Sequence, residues 1–176
     1  SLIEVDPITP FLPSGDLDSG AFSIPAFNLV EHARREAEDI GAATVDVRHL
    51  LLSLMEMKSG PLHYPLHSQK YSPRGISECI RLNLGDGVFQ GGRRTQLDQS
   101  RKGFHIALQI LLQDAGERAA RERADVIQEI HLARELVEGQ NAGSRILEIE
   151  GVDRESLARV LAGMEYEEVD SGGVGR

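Results

Sequence analysis

The amino-acid sequence predicts an all-α protein made of two tandem copies of a four-helix repeat. The first observation is that residues 82 positions apart repeatedly agree in type, and that the offset later becomes 81. The second is that apolar residues in both copies recur at helical spacing, which leaves little or no strand. The matched pairs include Phe22 with Phe104, Ala33 with Ala115, Ala37 with Ala119, His49 with His131, Leu54 with Leu136, and Ile76 with Leu157.

Composition shifts divide the chain into five segments. The repeats join through a polar stretch rich in glycine, and the C-terminal end is acidic and then glycine-rich. We therefore expect an irregular N-terminal arm over 1–21, repeat one over 22–84, a linker over 85–103, repeat two over 104–163 and a flexible tail over 164–176.

The first long helix of copy one is predicted to start near Ser23, a favourable N-cap residue. Pro25 follows in the first turn, where the amides lack helical partners. The same stripe recurs in copy two behind Phe104. Alanines at matched places in both stripes should let a neighbouring helix approach closely.

The second helix of copy one should start after Asp46, between two apolar residues spaced as a hydrophobic staple. Copy two has the poorer cap Gln128 at the matching place. His49 and His131 fall at the third helical position, where a polar side chain can reach back to the cap backbone. Capping therefore explains this repeated histidine better than catalysis does.

Two further helices complete each copy. The segments 62–67 and 142–149 are long enough for a short helix each. A last helix should begin at Ser72 followed by Pro73, and at the matching Asp153. Eight helices are predicted in all.

Charge and composition argue against several classes of function. A net charge of −9 disfavours nucleic acid as main partner, since phosphate binding needs a basic face. No apolar run approaches the roughly 20 residues that span a bilayer, and we find no export signal at the start. Cys79 is the single cysteine, lies on an apolar stripe and is expected to be buried and inert. A cytoplasmic location fits these features.

The sequence shows no catalytic constellation. It lacks the Walker pattern G-x-x-x-x-G-K-[ST], and no cofactor is expected. His63 and His67, like His32 and Glu36, have the four-residue spacing of metal ligands on a helix. Pro65 should disfavour regular helix through the first pair, and no third ligand is evident. A small metalloenzyme is thus the weaker alternative, with surface histidines the ordinary explanation.

The ordered set of motifs, occurring twice, resembles the Clp N-terminal repeat domain of Clp/Hsp100 unfoldases such as ClpA, ClpB, ClpC and ClpV. The resemblance covers about residues 22–162. It rests on FSIPAF at 22–27 with the alanines that follow, VDVRHLLLSL at 45–54, and IQEIHLAREL at 127–136. It implies an all-α domain of two four-helix repeats related by a pseudo-twofold axis. Such domains also occur as small stand-alone proteins.

The resemblance further implies binding without chemistry. Domains of this kind bind unfolded segments, degradation signals or adaptor proteins and pass them to an ATPase ring. The alternative is a stand-alone interaction or regulatory protein unconnected with proteolysis. Candidate peptide- or adaptor-contacting residues, by their position or as exposed aromatic anchors, are Phe22, Phe27, Arg48, Phe89, Phe104 and Glu129. For Phe22 and Phe104, burial in the core is the favoured interpretation.

One part of the family pattern is missing. In ClpC-type domains a Glu directly before the repeated His helps to bind phosphorylated arginine. Here Arg48 and Ile130 occupy those positions, and Glu129 lies one place away. Because an arginine repels another guanidinium, we do not expect phospho-arginine recognition.

Overall fold

A computed structural model describes residues 6–58, 60–90 and 103–174, and within them it contains eight α-helices and no strand. This confirms the predicted all-α class and the four helices of each copy. A short 3-10 helix, Ser19–Ala21, precedes the first. The helices are α1 Ile24–Ile40, α2 Val47–Glu56, α3 His63–Ser68, α4 Pro73–Gln90, α5 Ile106–Arg121, α6 Glu129–Glu138, α7 Ala142–Ile149 and α8 Arg154–Val174.

The long first helices begin where the chain offers a cap. The Ser23 hydroxyl accepts a hydrogen bond from the Ala26 amide at 3.3 Å, as predicted. At the matching place in copy two, His105 Nδ1 accepts from the Ala107 amide at 3.0 Å. At its C-terminal end α1 stops at Gly41, whose φ of 79° is accessible mainly to glycine.

The repeated histidines close a capping box at the start of α2 and α6. The Asp46 amide donates to His49 Nδ1 at 2.9 Å, and the Gln128 amide donates to His131 Nδ1 at the same distance. Both imidazoles are buried. The predicted capping role of the two histidines is therefore confirmed.

The two copies are joined through paired backbone hydrogen bonds beside the helix starts. Ile127 donates to Ala21 and accepts from Ser23, at 2.8 and 2.9 Å. Val45 forms the matching pair with Gly103 and His105, at 2.9 and 2.8 Å. Buried apolar side chains from both copies form one cluster, so the repeats share a core.

The N-terminal arm packs on copy two. Phe11 is buried against Phe104, with ring centroids 5.6 Å apart in an edge-on arrangement. The backbone carbonyl of Ile8 crosses α5 so closely that a Cβ at Gly116 would lie 2.0 Å from its oxygen. Glycine at this position is required by that approach.

Three expectations need correction. Helix α4 continues to Gln90 and α8 to Val174, so helix replaces the first part of the predicted linker and most of the predicted tail. Pro65 lies inside α3, because the first turn of a helix tolerates a residue without an amide hydrogen. Cys79 is half-buried, and partial burial with the nearby Glu150 carboxylate raises the pKa of its thiol.

Within the described residues, no helix combines the length and the apolar character that crossing a membrane requires.

Candidate functional site

A groove of about 380 Å³ lies where the two copies meet. It is framed by the starts of α2 and α5, by one face of α7 along its whole length and by one residue of α4. Its lining combines an apolar wall with polar groups at the rim, the usual composition of a ligand site. The lining residues are Asp46, Val47, Arg48, Asn83, His105, Ala107, Ala142, Arg145, Ile146 and Ile149.

The apolar wall comes mainly from α7. Ile149 is 74% exposed although it is a large apolar residue at the end of that helix. Ile146, one turn earlier, is nearly buried and supports the floor. On α5, Ile106 and Ile110 are also well exposed, outside the groove lining. Exposed apolar side chains grouped around a recess are typical of surfaces that bind other molecules.

Arg48 is held rigidly at the groove by two partners. Its Nε and Nη2 atoms donate to the two carboxylate oxygens of Asp46, at 3.1 and 2.8 Å. Its Nη1 atom donates to Asn83 Oδ1 at 2.9 Å. Although partial burial opposes ionisation, the hydrogen bonds from Arg48 lower the pKa of Asp46. The carboxylate thus stays charged and is neutralised locally by the guanidinium.

Two further polar side chains face the groove without a carboxylate partner. Arg145 on α7 is exposed and makes no ion pair among the described residues. His105 is exposed as well, and its Nδ1 is occupied as acceptor by the Ala107 amide. A neutral His105 therefore carries its hydrogen on Nε2, which can donate to a ligand.

The structure brings one predicted site residue, Arg48, into this groove. Phe22 and Phe104 are 5% and 2% exposed and belong to the core, as the favoured interpretation had it. Phe27 is half-buried, not exposed, since it packs against that core with its ring edge-on to Phe22 at 6.2 Å. Glu129 is half-buried at the start of α6, outside the groove lining.

The Phe89 side chain lies outside the residues that the structure describes.

Sequence reasoning missed most of the groove. His105 could have been found, because it matches the capping residue Ser23 at the 82-residue offset. Arg145 carried no signal, since an arginine on a short helix is ordinary. Ile149 had a weak signal, because apolar residues surround α7 on more than one face.

A second cluster brings together His32, Glu36 and Glu56, whose ligand atoms lie within 4.8 Å of one another. Glu56 is the third potential metal ligand that the sequence did not reveal. The Arg81 guanidinium, however, already pairs with both carboxylates, at 2.7 Å from Glu56 and 3.1 Å from Glu36. The cluster is therefore an ion-pair network on α1, α2 and α4, in which the Arg81 guanidinium takes the place that a metal ion would occupy.

The other histidine pair does not form such a group. His63 Nε2 lies 2.9 Å from the Met55 carbonyl oxygen, and His67 is exposed. Among the described residues, neither belongs to a cluster of three metal-ligand side chains. Both border a shallow recess of about 400 Å³ at the end of α2 and the start of α4.

The buried histidines are held in the neutral form. Burial, followed by the charges of Arg118 and Arg134, lowers the pKa of His131 to about 4. Burial likewise lowers the pKa of His49, whose Nε2 finds no partner. Within the described residues, the hydrogen bond that each ring accepts from its cap amide accounts for its place in the fold.

Three solved structures share the fold of this chain. The N-terminal domain of the Arabidopsis thaliana chaperone ClpD aligns with a TM-score of 0.60 at 18% identity, over 83% of this chain and 95% of that one. The Candida albicans Hsp104 N-terminal domain gives 0.65 at 12%, over 82% and 91%. A structure from a study of a malarial protein secretion system gives 0.65 at 15%, over 89% and 100%.

These likenesses define the class of fold. The chain has the fold of the Clp/Hsp100 N-terminal domain, as the resemblance of its repeated motifs predicted. No protein-family model matches the sequence, and no curated protein matches it. The similarity to the solved structures is thus one of architecture at low sequence identity.

Proposed function

We propose that this chain is a non-catalytic domain that binds segments of substrate or adaptor polypeptides for a Clp/Hsp100 ATP-dependent unfoldase. The observation that carries the proposal is the groove at the junction of the two repeats, in a chain with the Clp/Hsp100 N-terminal fold. Its apolar wall and polar rim suit a short stretch of extended chain. The partners are unfolded or tagged segments, adaptor proteins and the ATPase ring.

The shape and lining of the groove support binding more than chemistry. Its polar residues are two arginines, a histidine, an asparagine and an aspartate, and that aspartate is paired with Arg48. Such a set orients a ligand and favours its charge, but it offers no nucleophile next to a base. The lining residues therefore support a recognition role.

The test measures binding of a fluorescently labelled unfolded polypeptide by anisotropy. Ile149→Ser removes the exposed apolar side chain of the groove, and we expect about threefold or greater weakening from that lost contact. Leu82→Ser is the matched control, because Leu82 is also 74% exposed but does not line the groove. Absence of binding, or equal effects of both variants, would refute the groove as the binding site.

A second measurement tests whether the chain works together with an ATPase ring. Joined to, or supplied with, its ATPase ring, the chain should increase unfolding of a tagged substrate, and Ile149→Ser should reduce that increase. A ring that works equally well without the chain would instead favour an interaction protein unconnected with proteolysis.

A further inference from the structure

We propose that the groove selects extended polypeptide segments in which an aspartate or glutamate side chain lies two positions from an apolar one, on the same face. This inference rests on the proposed function and adds the chemical class of the segment. It is carried by the charges at the groove and by their partners.

Arg145 provides the first argument. It is exposed at the groove and has no ion pair among the described residues, in a protein with 28 acidic and 19 basic side chains. Many other arginines of the chain contact a carboxylate, as Arg34, Arg81, Arg118 and Arg134 do. A guanidinium left unpaired in acidic surroundings is available to a carboxylate from outside.

Arg48 provides the second argument. Three of its N–H groups are used, by the two oxygens of Asp46 and by Asn83. A guanidinium has five, so two remain for a ligand. Because Asp46 and Asn83 fix the side chain, little rotamer freedom is lost when an incoming carboxylate binds.

The local charge balance gives the third argument. Among the described residues, Asp46 is the one acidic residue of the groove lining, and Arg48 neutralises it. Arg145 then leaves a net positive charge, to which the starts of α2 and α5 add their positive dipole ends. The rim thus complements an anionic group, whereas a lysine or arginine there would be repelled.

The apolar wall sets the second half of the requirement. Ile149 and Ile146 lie on α7 with Arg145, within four residues of one another. A carboxylate that reaches Arg145 therefore brings the side chain two positions away in the same segment onto Ile149. In an extended chain, residues i and i+2 point to the same face about 7 Å apart, which is comparable to the one helical turn that separates Arg145 from Ile149 on α7.

The experiment compares three peptides of one apolar sequence, with both termini blocked, that carry Glu, Gln or Lys at one position. We expect binding to this chain to follow the order Glu, Gln, Lys, with the advantage of Glu shrinking as salt rises. Arg145→Gln should weaken the Glu peptide about three- to tenfold and weaken the Gln peptide clearly less. Arg145→Glu should reverse the order.

Arg159→Gln on α8 is the matched control, since Arg159 is exposed and lies outside the groove lining. It should change none of the three affinities. Equal binding of the Glu and Gln peptides would overturn the charge preference while leaving polypeptide binding in place. Failure of all three peptides to bind would overturn the proposed function as well.

Discussion

The starts of α2 and α6 show how the two copies differ. At both, a cap amide donates to a buried histidine at 2.9 Å, so the helix start is built in the same way in both copies. On the surface, Arg48 reaches the groove at the start of α2, whereas the matching Ile130 is 1% exposed and belongs to the core. The two copies thus share the buried cap but differ in the residue beside it, and only in copy one does that residue line the groove.

The ion-pair networks differ in the same way. Glu56 and its match Glu138 both lie at the end of a second helix. In copy one, Glu56 pairs with Arg81 of α4, beside Glu36 of α1. In copy two the position of Glu36 is held by Arg118, which contacts Glu138 directly at 3.4 Å. Duplication thus preserved a charged contact while the residue that supplies the cation changed.

The largest expected effect is on the free energy of unfolding, at a position where the two copies carry different residues. Gly116 of α5 is the repeat equivalent of Arg34 of α1. The two residues differ because the N-terminal arm crosses α5 at Gly116. Gly116→Ala places a Cβ 2.0 Å from the Ile8 oxygen and should lower the free energy of unfolding by about 1–3 kcal/mol, despite the better helix propensity of alanine. Urea denaturation followed by circular dichroism measures this change.

The matched control is Arg34→Ala. Arg34 is 40% exposed and pairs with Glu31 and Glu38 at the surface, so its loss should cost no more than about 1 kcal/mol. A Gly116→Ala protein as stable as the parent would show that the arm does not pack on α5.

The next effect concerns acid stability. His131 has its pKa lowered from 6.5 to about 4 in the folded protein, so the unfolded chain binds a proton first as the pH falls. The contribution of His131 to stability is therefore fully present above about pH 6.5 and is lost as the pH falls towards 4. His131→Gln retains a capping side chain without this titration. Between pH 7 and 5, the variant should lose about 1–2 kcal/mol less stability than the parent protein loses.

Urea denaturation at a series of pH values makes the measurement. His67→Gln serves as the control for a His-to-Gln exchange, since His67 lies exposed on α3. A parental pH profile for His131→Gln would contradict the assignment of the buried ring as the titrating group.

The smallest expected effect is the difference in stability between replacing Arg118 and replacing Arg81. Arg118 is 13% exposed among Glu122, Glu135 and Glu138, whereas Arg81 is 43% exposed. Arg118→Met should destabilise the protein by about 1 kcal/mol more than Arg81→Met, because it removes the cation that contacts Glu135 in a less solvated place, while Arg134 still pairs with Glu122 and Glu138. Thermal unfolding at low and high salt tests the order, and the reverse order would contradict it.

Local signals in the sequence predicted much of the fold. Ser23, Asp46 and the repeated histidines mark helix starts through contacts within three residues, which a sequence pattern can record. The ends of α4 and α8 were misjudged, because glycine and acidic residues there suggested irregular chain. Composition does not determine whether such a segment continues a helix already begun.

The groove was less accessible to sequence reasoning. Arg48 was identified by its place next to a repeated histidine, but Arg145 and Ile149 join it only through packing of α7 on α2. Residues nearly one hundred positions apart come together in this way. Neither their spacing in the sequence nor their residue types predict that contact. The close approach of Ile8 to Gly116 is likewise a tertiary feature.

The paired bonds of Ile127 and Val45 have a consequence for how such a molecule can arise. Each copy satisfies backbone groups of the other through an equivalent pair of contacts. Contacts of this reciprocal kind are self-complementary, as in an isologous dimer. A chain with a single repeat could therefore have formed the same paired hydrogen bonds with an identical second chain. Fusion of the two chains would then give the single polypeptide seen here.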